Sequence, residues 1–156
     1  MKGLLSSFRN AFRGIWRTLK AERNMRLHLT AVCYVTALGF LAELDAPRWA
    51  AILLCFGAVI AAELFNTALE NLCDAVHPDK HPKIGAAKDA AAGAVLVLAI
   101  ASVGVAIAAF GPWLLVGGLM RAMSGNEALF PIFIISIIPA ILWIRGKKSW
   151  KLKNQA

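Results

Sequence analysis

The sequence predicts an all-α integral membrane protein: an N-terminal amphipathic interfacial helix, three core transmembrane helices and a fourth, C-terminal transmembrane helix. Three observations lead there. Hydrophobic residues make up 59% of the 156 and the mean hydropathy is +0.64, above the roughly 45–50% apolar content of soluble domains. Four apolar runs follow one another, 27–44, 49–72, 90–110 with a continuation to 120, and 129–144. The first three approach the about 20 residues that a spanning helix needs, and the fourth is shorter and carries Pro131 and Pro139. Finally, the net charge of +8 is distributed unevenly: of 17 Lys and Arg, seven precede the first run, three follow the second and five follow the fourth. The two remaining loops hold Arg48 and Arg121 alone. By the positive-inside rule both termini are cytoplasmic and the spans form two hairpins.

Because the charge follows topology and does not gather on one face, nucleic acid is not an expected partner. Cys33, Cys55 and Cys73 are unevenly spaced within apolar runs and fit neither a disulfide framework nor a metal-ligand pattern, so they read as small core hydrophobes. The first apolar run starts late, after a long basic segment without a small-residue cleavage site, so the first span is expected to remain in the mature protein.

In chain order, residues 4–24 form the interfacial helix. Leu4, Leu5, Phe8, Phe12, Ile15, Trp16 and Leu19 recur at steps of three and four, with Arg9, Arg13, Arg17 and Lys20 opposite them. That pattern suits a helix lying in the membrane surface. Glu22 is the one acid among these bases. Spans are expected over 27–44, 49–72 and 86–110, completing a domain of residues 1–110. Glu43, Asp45, Pro47 and Arg48 close the first hairpin. His77-Pro78 and His81-Pro82 push each histidine out of the helical region and end the second span. Gly85, Ala86, Ala90, Gly93 and Ala94 predict close approach of a neighbouring helix. Gly111 and Pro112 mark the end of the third span. Residues 111–156 form a C-terminal extension with the fourth span at 129–144 and a basic cytoplasmic tail whose first cations, Arg145, Lys147 and Lys148, suit lipid headgroups.

The chemistry gathers in Glu63 to Asp74, ELFNTALENLCD. At about 100° per residue, Glu63, Asn66, Thr67, Glu70 and Asp74 fall within an arc of roughly 100° on one helix face. Glu63 lies fourteen residues after Trp49, roughly 21 Å along a hydrocarbon layer of about 30 Å. An ionisable group at that depth is a functional-site candidate by default, whereas Asp74 also suits a solvated helix end. The hairpin returns Lys88 and Asp89 to the same membrane surface. Carboxylates are hard oxygen ligands for magnesium, which takes one or two from protein and the rest from water and phosphate. A lysine neutralises phosphate, and a carboxylate poised in the apolar layer can act as a general base. This set suffices in kind for phosphoryl transfer, and no P-loop or protein-kinase motif accompanies it.

Glu63-Leu64-Phe65-Asn66-Thr67-Ala68-Leu69-Glu70, Asp74 and the run Lys88 to Leu96 resemble the signature of the small bacterial membrane lipid kinases, the prokaryotic diacylglycerol kinase and undecaprenol kinase family. Phe12 to Ile15 and Glu22 to His28 resemble its Gram-positive-type undecaprenol kinase branch. The resemblance covers roughly residues 8 to 110. It implies a homotrimer of three-span subunits in the bacterial inner (cytoplasmic) membrane, transferring the γ-phosphate of ATP to a lipid alcohol with Mg2+. It implies Glu63 as general base and substrate contact, Asn66 as active-site amide at the substrate, Glu22 and Glu70 as magnesium ligands that also face ATP, and Lys88 and Asp89 as nucleotide-phosphate contacts. Asp79, Lys80 and His81 match the loop that approaches the nucleotide, and Asp74 matches a further active-site position. Asn10 falls at a nucleotide contact where family members often carry Tyr. The fourth span departs from the family pattern.

The expected activity is therefore ATP- and magnesium-dependent phosphorylation of undecaprenol, with diacylglycerol as the alternative acceptor. A small proton or cation transporter also uses buried Glu in a helical bundle, but its polar groups form a relay through the bilayer, and here they cluster at one face. A structural membrane adaptor without a catalytic site is the third reading.

Overall fold

In the computed structural model, which describes residues 2–77, 79, 81–118, 120 and 129–146, the chain is helical almost throughout. Among the described residues there are five helices of seventeen residues or more: α1 Lys2–Ala21, α2 Arg23–Leu41, α3 Ala46–Val76, α4 Pro82–Leu115 and α5 Leu129–Arg145. The antiparallel pair of α3 and α4 is the most extensive helix contact, α2 packs on α3 and α5, and α1 reaches α2 and α3.

Each boundary has a local cause. Glu22 leaves the helical region at φ −100° and ψ 127° and separates α1 from α2. In the first hairpin Glu43 adopts a left-handed φ of 49°, and Asp45 caps α3, its Oδ1 accepting from the Arg48 amide at 3.1 Å, with Pro47 in the first turn. The Arg48–Asp45 ion pair at 3.6 Å is exposed and adds little. Both His-Pro histidines are extended, His77 at φ −146° and His81 at φ −129°, and they end α3 and begin α4 as pre-proline residues do.

With 31 and 34 residues, α3 and α4 are about 46 and 51 Å long, more than a hydrocarbon layer of about 30 Å requires. They are the two helices whose length and apolarity suffice to cross a membrane among the described residues. α2 has 19 residues and begins with Arg23, Arg26 and His28, and α5 has 17.

Three expectations change. α4 continues through Gly111 and Pro112 to Leu115: the proline deletes one helical N–H in the last turn, where little helix remains to be disrupted. The stripe at Gly85, Ala86, Ala90 and Ala94 is exposed and not pressed against α3, and a Cβ added at Gly85 or Gly93 meets nothing within 4 Å. Intimate approach occurs instead at Gly39, where a Cβ would stand 2.6 Å from Cη2 of Trp49. Cys33 is exposed, although all three cysteines are free thiols as expected.

Apolar packing is concentrated around Leu44, Ile52, Ala109 and Phe110, with Trp49 and Phe56 against them. At the opposite end polar side chains are buried, Thr18, Arg26, Glu63, Asn66 and Thr67, beside the fully buried Met25. Between the two lies an apolar groove of about 260 Å³ among α2, α3 and α4, whose lining includes Leu27, His28, Phe56, Val59 and Ile60.

Candidate active site

The site is built on the last four turns of α3. Glu63 is 1% exposed, Asn66 8% and Thr67 6%, so the face inferred from helical periodicity is turned inward. Thr67 Oγ1 donates to the Glu63 carbonyl oxygen at 2.9 Å, satisfying its own hydroxyl within the helix. Asn66 Nδ2 donates to Glu70 Oε1 at 3.2 Å. Two acceptors stay buried without a hydrogen-bond partner among the described residues, Oε2 of Glu63 and Oδ1 of Asn66. Leaving such a group unsatisfied costs roughly 1–3 kcal/mol. Stability gives no reason to retain two of them side by side, and they define a place for a donor from outside the chain.

Other elements bring further groups to this face. The contact of α1 with α3 carries Glu22 close enough for its charge, like that of Glu70, to act on the Glu63 carboxyl. The α3–α4 hairpin joins Lys88 to Asp74 as a hydrogen-bonded ion pair, with the charge of Glu70 also acting on the ammonium. Glu22, Glu63, Glu70, Asp74 and Lys88 thus form one continuous polar row, with Glu63 deepest and Asp74 exposed.

Not every expected residue joins that row. Asn10, Asp79 and Asp89 are exposed and hold no hydrogen bond to another site residue among the described residues. His81 is used locally, its Nδ1 accepting from the Lys83 amide at 3.3 Å and its ring 5.4 Å from that of His77. Lys80 lies outside the described residues. Arg26, buried among helix ends near Glu22, was not anticipated; a basic residue at the start of a span reads from sequence as an interfacial anchor.

Among the described residues no three Asp, Glu, His or Cys side chains enclose a metal by themselves. A carboxylate row of this kind suits a magnesium ion that brings most of its ligands with it as water and phosphate, and it does not suit a closed protein cage. The buried Glu63 oxygen can accept a proton and the carboxylates can share a divalent cation. The Lys88 ammonium can meet anionic oxygens at the water boundary.

Comparison with known proteins gives the family. The family model described as prokaryotic diacylglycerol kinase matches residues 9–110. The chain is 48% identical over 96 residues to the undecaprenol kinase of Bacillus subtilis, covering 62% of this chain and 78% of that protein. It is 43% identical over 102 residues to the diacylglycerol kinase of Synechocystis sp., covering 64% of this chain and 58% of that one. No solved structure matches it. Glu22, the Glu63 to Asp74 face and Lys88 all fall inside the matched region, and the chain belongs to the prokaryotic diacylglycerol kinase family.

Proposed function

We propose that this membrane lipid kinase transfers the γ-phosphate of ATP to the hydroxyl of undecaprenol at the cytoplasmic face of a bacterial inner membrane. The observation that carries the chemistry is the buried Glu63 oxygen with no partner, one turn from the buried Asn66 amide. Glu63 takes the proton of the lipid hydroxyl while that oxygen bonds to the γ-phosphorus; the bond from that phosphorus to the β–γ bridging oxygen breaks, and ADP leaves. Asn66 lines the acceptor site one turn from Glu63 and holds Glu70 in place through Nδ2. Glu22 and Glu70 would hold magnesium with the nucleotide phosphates, and the ion supplies charge neutralisation. Lys88 and Asp89 face those phosphates, with Asp74 orienting Lys88. Asn10, Asp79 and His81 would meet the nucleotide as it approaches.

The apolar groove reaching Val59 and Ile60, one turn from Glu63, supports an acceptor with a hydrocarbon chain. Undecaprenol is chosen from the 48% identical relative; the 43% identical one makes diacylglycerol the second candidate. Residues 1–110 form the kinase domain in this reading, with α2, α3 and α4 spanning, and residues 111–156 add α5 as a fourth span, both termini cytoplasmic. Phe8, Phe12 and Trp16 of α1 are exposed, which supports burial of that apolar face in the membrane surface. The exposed stripe at Gly85, Ala86, Ala90 and Ala94 supports assembly with further copies as a homotrimer.

The test is a lipid panel with purified protein and γ-labelled ATP. Label is expected in undecaprenyl phosphate; a clear preference for diacylglycerol overturns the acceptor, and no nucleotide-dependent transfer to any lipid overturns the kinase reading.

A further inference from the structure

Arg26 is 8% exposed and its guanidinium joins two helix ends. Nη1 donates to the carbonyl oxygens of Leu19 and Lys20 at 3.2 and 3.1 Å, in the last turn of α1. Nη2 donates to those of Ile144 and Gly146 at 3.4 and 3.3 Å, at the end of α5. The closing carbonyls of a helix lack intrahelical donors and carry partial negative charge, so a single planar fork neutralises both ends. Nε is buried without a partner among the described residues, and a Cβ on Gly146 would lie 4.0 Å from it. Around this junction Trp16, Lys20 and Trp143 help line a cavity of about 320 Å³.

Glu22 stands inside the loop that this fork closes. The chain departs from helical geometry at Glu22, its amide still donating to the Thr18 carbonyl at 2.8 Å and its own carbonyl accepting from the Arg26 amide at 3.5 Å. The backbone on both sides of Glu22 is therefore pinned to one side chain. That side chain is itself held by α5, which lies beyond the region matched by the family. Tyr34 Oη and Ser136 Oγ, 2.8 Å apart, and the edge-on packing of Tyr34 with Phe133 register α5 along α2.

We propose that Arg26 is a positioning residue through which the C-terminal helix sets the Glu22 carboxylate, and with it the grip of the site on its divalent cation. The inference rests on the reading of Glu22 as a magnesium ligand. A pure capping role would alter stability alone, whereas a positioning role alters the dependence of turnover on magnesium.

The experiment uses the full chain in detergent micelles with Arg26→Lys, Gly146→Val, their combination and Glu22→Gln. Lysine keeps the charge but loses the fork, and valine displaces the end of α5, since its Cβ would meet the Trp143 carbonyl at 3.0 Å. Both single variants are expected to speed hydrogen exchange at the amides of Glu22 and Arg26. Both raise the half-saturating magnesium concentration about tenfold, as loss of a group supporting a metal ligand does, with kcat at saturating magnesium within about twofold. The combination is no worse than the stronger single variant. Additive effects overturn the proposal, as does a Gly146→Val protein with unchanged exchange, or one with faster exchange but normal magnesium dependence where Glu22→Gln shifts it. If Glu22→Gln leaves magnesium dependence unchanged, the metal role of Glu22 fails by itself, and the exchange rates decide whether α5 holds the junction. Should Arg26→Lys not fold, Gly146→Val decides alone.

Discussion

Asn66 spends its amide hydrogen on Glu70, one turn along α3, at 3.2 Å, and leaves its carbonyl oxygen buried and unpartnered. The two residues divide the labour of one helix face: the amide fixes the carboxylate, and the remaining oxygen lies buried one turn from Glu63. Asn66→Ala removes both functions. Turnover is expected to fall about tenfold or more while stability drops by about 1 kcal/mol or less, because a buried unsatisfied oxygen disappears along with the hydrogen bond. Steady-state kinetics beside thermal melts in detergent read both quantities.

Glu63→Gln separates chemistry from folding more sharply. The amide is nearly isosteric but cannot take a proton, so kcat is expected to fall by about 10² to 10⁴. The melting temperature should stay level or rise, since a buried carboxyl lacking a partner is removed. Full turnover by this variant ends the assignment of Glu63 as base.

At the water end, Lys88→Met is expected to raise the KM for ATP about tenfold with a smaller change in kcat, the signature of a lost phosphate contact. The double variant Asp74→Lys with Lys88→Asp keeps an ion pair while moving the cation to the other helix. If the paired charge alone mattered, the exchanged protein would recover the wild-type KM; recovery is not expected.

Chelation of divalent cations should abolish transfer reversibly, and Glu70→Gln should raise the magnesium needed for half-maximal rate. Titrating magnesium at fixed ATP measures it. A rate unaffected by chelator removes magnesium from the mechanism.

Gly39→Val tests the fold without touching the site. Its first methyl-bearing carbon would fall 2.6 Å from the Trp49 indole, an overpacking expected to cost about 1–3 kcal/mol. Activity per folded molecule, measured by active fraction against melting temperature, should be retained.

Much of this was legible in the residues because helices convert spacing into direction. Glu63, Asn66, Thr67 and Glu70 had to share a face whatever they packed against, and the His-Pro pairs announced where the hairpin would return Lys88 to Asp74. Arg26 was not legible for an equally physical cause: its four acceptors are main-chain carbonyls, which carry no side-chain signal, and two of them come from the far end of the chain. The small residues of α4 misled in one respect. Their lack of bulk permits a close neighbour, but it does not say which one, and α3 does not occupy the exposed stripe. Pro112 likewise weighs less near a helix end than its reputation in a helix interior suggests.

The Trp49 indole over Gly39 has a mechanical consequence for the whole bundle. It sits with the Leu44, Ile52, Ala109 and Phe110 cluster at one end, whereas the other end buries Met25 among the polar side chains around Glu63. Opening motions cost most where apolar packing is dense, so α2 and α3 are expected to separate more readily at the Glu63 end than at the turn that joins them.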